Sequence, residues 1–206
     1  LVRLFYGGTL EKLVQRNATD EWAGEVFGGG IRGLSRLSLV HSKLSIYGFG
    51  HIGCALGATL QDLRIEHSSL NARVVGQLCN QCQRLTHLRL THCQLTLSAQ
   101  GATPLALLPS LSELDLNDNP LEVGAAARLC AAEPPDRPLR ALRLSGSHAD
   151  DECCLAAMGL PCVTALDLTL TRVSSLGASY LAVGLGDRLQ ELRLSHTSEA
   201  TARNNL

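Results

Sequence analysis

Histidines at positions 41, 67, 92 and 196 and a C-x-x-C pair, Cys79 and Cys82, are the residues of this chain best suited to chemistry. An imidazole ligates metals, moves protons and changes charge near neutral pH. Paired thiols hold zinc or exchange with a disulfide. Cys93 directly follows His92, which sets a thiol beside a base, the pairing used in nucleophilic catalysis. Arg64, Arg89, Asp115, Arg143, Asp167 and Arg193 each stand between two aliphatic residues, as does Ser38. What these sets can do depends on the elements that carry them.

Those elements recur. LTHLRLTHCQL (85–95) returns as LSELDLNDNPL from Leu111, LSRLSLVHSKL from Leu34 and LQDLRIEHSSL from Leu60. LRALRLSGSHA from Leu139, VTALDLTLTRV from Val163 and LQELRLSHTSE from Leu189 follow, at steps of 24 to 28 residues. LEKLVQRNATD from Leu10 is an eighth, weaker copy. Self-similarity at such a period marks a solenoid, in which each unit buries its leucines only by stacking on the next.

The units resemble the leucine-rich repeat family, L-x-x-L-x-L-x-x-(N/C/S/T)-x-L, from about residue 10 to 206. The resemblance implies an α/β horseshoe with a parallel sheet on the concave face and helices outside. Segments such as RVVGQLCNQCQR and LGASYLAVGLGDR look like the outer helices of the ribonuclease-inhibitor-like and cysteine-containing subclasses. The family also implies a function. Similar chains serve as ribonuclease inhibitor, as F-box substrate receptors of ubiquitin ligases and as structural subunits of ciliary axonemes. The expectation is therefore a non-catalytic protein-binding module or scaffold subunit of a larger assembly, with the cytoskeleton as its setting. An F-box-type receptor is the alternative. A GTPase-activating enzyme of the Ran-activator type is weaker, because the acidic tail of that protein has no counterpart here.

Composition narrows the partners. A net charge of -1 over 206 residues gives no electrostatic case for nucleic acid. No apolar run approaches the roughly 20 residues of a membrane span, and no secretory leader stands at the start. The expected organisation is one domain over 1–206 with about eight repeats, and the missing polar caps suggest a segment of a longer chain. The eight cysteines lie mostly beside Leu and Ala in the outer segments, which predicts buried free thiols and a reducing, cytoplasmic setting. The sequon Asn17-Ala18-Thr19 is discounted on the same ground.

Strand alternation then assigns the side chains. The leucines point inward, and Ser38, Arg64, Arg89, Asp115, Arg143, Asp167 and Arg193 form one outward column. Eight strands about 4.8 Å apart span about 35 to 40 Å, an extended surface. The column reads either as a recognition strip for a protein or as a ladder of self-pairs: Arg89 with Asp115, Asp115 with Arg143, Asp167 with both its arginine neighbours. Arg64 and Arg89, adjacent and like-charged, are the better contact candidates, with Asp62 and Glu66 able to offset them. His41, His67, His92 and His196 share the eighth place of their units, a polar rim and a secondary contact. They lack the carboxylate or thiol column that would complete a metal set, and Cys79-x-x-Cys82 sits in an outer helix, so neither metal nor cofactor is expected. Cys93 should point inward while His92 points out, which argues against a nucleophile. Aromatics gather early, at Phe5, Tyr6, Trp22, Phe27, Tyr47 and Phe49, either as a contact surface at the N-terminal end or, the favoured reading, as filling of irregular outer segments.

Overall fold

The computed structural model describes residues 10–122, 124–131 and 136–195. Eight strands form one parallel sheet in chain order, β1 (Lys12–Arg16), β2 (Arg36–Val40), β3 (Asp62–Glu66), β4 (His87–Thr91), β5 (Glu113–Asp115), β6 (Ala141–Arg143), β7 (Ala165–Asp167) and β8 (Glu191–Arg193). Each pairs in register with the next, so equivalent leucines stack. Leu37, Leu63, Leu88, Leu114, Leu142 and Leu166 make one buried row, and Leu39, Ile65, Leu90, Leu116, Leu144 and Leu168 continue it one layer along. A slip of one residue would turn both rows out to water, which is why the hydrophobic pattern fixes the register.

Among the described residues seven helices return the chain across the outer side: α1 (Asp20–Gly28), α2 (Ile46–Leu56), α3 (Ala72–Gln81), α4 (Ala99–Ala106), α5 (Ala125–Cys130), α6 (Asp151–Ala157) and α7 (Ser175–Leu185). Most start at a residue whose side-chain oxygen accepts from a helix amide. Thr19, Ser45, Asn71, Ser98, Asp150 and Ser174 all do so. Such a cap contributes about 1 kcal/mol by satisfying an otherwise orphaned N–H. Neighbouring repeats are also tied cap to cap. The Asp20 carboxylate accepts from the Ser45 amide at 2.8 Å, and Asp151 accepts from the Ser174 amide at 2.8 Å.

A polar ladder ties successive turns after the strands. The Ser42 hydroxyl accepts from the Ala18 amide, and the Ser68 hydroxyl from the Ser42 amide. Asn119 is fully buried. Its Oδ1 accepts from the amides of Cys93 and Leu95 at 3.0 Å each, and its Nδ2 donates to Leu90 O and Leu116 O. Cys93 takes this place in its own repeat, its thiol 3.3 Å from Ile65 O and Thr91 O.

All eight cysteines are free. The expectation of buried thiols fails for two of them: Cys54 and Cys162 are exposed. Cys54 lies on the outward side of α2, and Cys162 lies in the turn between α6 and β7, where no further layer covers the helices.

Candidate partner-binding face

The outward column runs Val14, Ser38, Arg64, Arg89, Asp115, Arg143, Asp167, Arg193, one residue from each paired strand. Its charges are largely spent on one another. Arg89 Nε lies 3.2 Å from Asp115 Oδ2. Arg193 lies 4.0 Å from Asp167 Oδ2 and 2.7 Å from Glu191 Oε1. Arg64 grips Asp62 on its own strand with Nε and Nη2, at 3.2 and 3.1 Å. That hydrogen-bonded pair, against some desolvation, raises the Arg64 pKa, with Asp62, Glu66 and Glu113 adding attraction.

Two expected pairs, Asp115 with Arg143 and Arg143 with Asp167, give way to another. Arg143 reaches Glu113 Oε2 at 3.8 Å, where Asp115 had been expected. The His87 ring stands 3.7 Å from the other Glu113 oxygen. Asp115 is held in place differently. Its Oδ1 accepts from the Asn117 amide, as Asp167 Oδ1 accepts from the Thr169 amide, so both acids brace the turn that follows their strand. Sequence reasoning missed the parallel column two residues earlier, Lys12, Arg36, Asp62, His87, Glu113 and Glu191. The signal was present, because residues two apart on a strand share a face.

The histidine rim has a backbone cause. His41, His67 and His92 adopt φ of 50°, 50° and 52°, and Asn17, Asp118, Leu170 and Gly146 occupy the same place with positive φ. This left-handed region costs most residues, while His, Asn, Asp and Gly are enriched there. The rings of His41, His67 and His92 stack at centroid distances of 4.8 and 4.7 Å, and His92 Nε2 lies 3.2 Å from Asp118 Oδ2. His196 lies outside the described residues. Stacked rings aim their nitrogens side by side, and among the described residues no group of three or more His, Cys, Asp or Glu is placed to hold a metal ion.

The thiols beside these positions are poor nucleophiles. Burial pushes Cys93 up to about 11, with its sulfur turned to the core and away from the His92 ring. Burial likewise pushes Cys79 up to about 12, with Cys82 adding to it, and Cys82 up to about 11. Of the early aromatics, Trp22 and Phe27 meet edge to face at 5.6 Å and Phe49 is buried, while Tyr47 is 77% exposed on α2. Phe5 and Tyr6 lie outside the described residues. No helix among the described residues is long and apolar enough to cross a membrane.

Two hollows interrupt the outward face. One, of about 20 Å³, is lined by Asp62, Arg64, His87, Arg89, Glu113, Asp115 and Arg143, with Leu88 at its base. The other, of about 140 Å³, lies over Ser38 between Lys12, Val14, Arg36, Asp62 and Arg64.

Comparison with known proteins agrees with this geometry. A family described as Leucine Rich repeat matches residues 81–106 and 159–182. A crystal structure of an internalin (inlF) from Listeria monocytogenes superposes with a TM-score of 0.58 at 14% identity. The match covers 90% of this chain and 48% of that one, so the chain spans about half the length of the structure it matches. No curated protein matches the sequence. The fold is that of a leucine-rich repeat solenoid, an open horseshoe with a parallel concave sheet. Proteins built this way generally act by binding other proteins.

Proposed function

We propose that this chain is a non-catalytic module that binds a protein partner along the outward face of its sheet, as a scaffold subunit within a larger assembly. The observation that carries the reading is the column itself. Ser38, Arg64, Arg89, Asp115, Arg143, Asp167 and Arg193 come from seven consecutive strands and face one way. Six of the seven are charged, Asp115 and Asp167 themselves buried, and rigid strands hold the more accessible arginines at fixed spacing, so a partner meets a preset pattern with little ordering cost. The imidazoles of His41, His67 and His92, with His196, would form the edge of the contact. The outer helices favour a ribonuclease-inhibitor-like unit. Eight unbonded thiols favour a reducing, intracellular compartment.

The test is affinity capture from native lysate with the wild type and with Arg64→Glu, Arg89→Glu, after both are shown to melt cooperatively. Loss of one stable partner set in the variant supports the reading. Retention of the same partners overturns it.

A further inference from the structure

We propose that the hollow over Ser38 is a socket for a carboxylate side chain, so that the partner presents an acidic segment to the β1–β3 end of the sheet. This rests on the outward face being the binding face.

The socket arises from one small residue in the column. Val14, Ser38 and Arg64 are adjacent in register, and the short serine leaves the space between its neighbours open. Val14, 54% exposed, supplies an apolar wall for the methylenes of an aspartate or glutamate. The Ser38 hydroxyl makes no hydrogen bond to any described residue and is free to donate.

The charge around the hollow is unbalanced. Lys12, Arg36 and Arg64 face a single acid, Asp62. Both Asp62 oxygens are already engaged by Arg64. That contact uses two of the guanidinium's five N–H groups and leaves Nη1 open to a second carboxylate. Lys12 has no acidic partner among the described residues. Arg36 has one, Glu11 at 3.5 Å, but both side chains are largely exposed, and such a pair contributes little and exchanges readily. The neighbouring hollow around Arg89 shows the contrast. There three arginines meet three acids, and the space is about 20 Å³. Of these two hollows on the outward face, the one over Ser38 joins an excess of positive charge to the room to insert a group. A net charge of -1 gives no overall electrostatic pull on nucleic acid, which favours a carboxylate over a phosphate backbone.

Fluorescence anisotropy with labelled hexaglutamate at physiological salt tests the socket, with hexaglutamine and a six-residue oligothymidylate as comparison probes. Saturable hexaglutamate binding is expected, weakened at least tenfold by Ser38→Leu, which fills the hollow and changes no charge. Lys12→Gln, at an exposed position, is expected to weaken it severalfold without altering the melting curve. The proposal fails if hexaglutamate does not saturate, if neither substitution weakens it, or if hexaglutamine binds as well. It also fails if the oligothymidylate binds more tightly than hexaglutamate. The two readings separate cleanly. Partner loss in the Arg64→Glu, Arg89→Glu capture with no hexaglutamate binding keeps the face and removes the socket, whereas unchanged capture removes the face.

Discussion

The ring of His67 lies 4.7 Å from that of His92, with the two planes 8° apart. The contact follows from backbone conformation, because each histidine ends its strand in the left-handed region and each strand pairs in register with the next. Two residues 25 positions apart in sequence therefore meet face to face. Their repetition reflects a demand of the turn, and the stack is its consequence.

That demand predicts the direction of three substitutions. Leu170 holds φ of 56° at this place while 55% exposed. Leu170→Asn should stabilise the protein by roughly 0.5–1 kcal/mol by relieving left-handed strain. His67→Val should destabilise it by about 1–2 kcal/mol, and His67→Asn should be near neutral. Urea unfolding of the three variants measures this; a stabilising His67→Val would contradict it.

Asn119 closes five backbone groups with one side chain, the amides of Cys93 and Leu95 and the carbonyls of Leu90, Leu116 and Asn117. Asn119→Ala leaves these buried groups unpaired, an expected loss of about 2–4 kcal/mol. Asn119→Ser, with the residue found at Ser42 and Ser68 in earlier repeats, should cost less. Thermal melts compare the two, and equal losses would show that cavity formation outweighs the hydrogen bonds.

The thiols predict both reactivity and pH dependence. Cys54 and Cys162 should react with a disulfide reagent within seconds, and the other six only on opening of the fold. A third fast equivalent would place another sulfur at the surface. Burial raises Cys93 to about 11 and Cys79 to about 12, against an ordinary 9.0. The unfolded chain therefore ionises first as pH rises. This part of the stability is complete below pH 9 and declines as pH climbs toward the folded values. Cys93→Ser should flatten the decline between pH 9 and 11 in melting experiments, while changing stability at pH 7 little.

The strands and their register were readable in the sequence. Period-two leucines repeating every 24 to 28 residues leave one way to bury them, and that arrangement also sends Arg64, Arg89 and Asp115 outward. Local pattern suffices there because the period of a strand is fixed by covalent geometry. The pairing of charges was not readable. Arg143 chooses Glu113, and Arg64 chooses Asp62 on its own strand, because long side chains reach across two columns and settle by distance and crowding. Nor did the sequence distinguish buried Cys82 from exposed Cys162, since both follow helices and differ only in what packs over them. The hollow over Ser38 belongs to the same class. A serine in a mostly charged column is one letter in the sequence, and it becomes a cavity only when its own strand and those on either side bring Lys12, Arg36 and Arg64 around it.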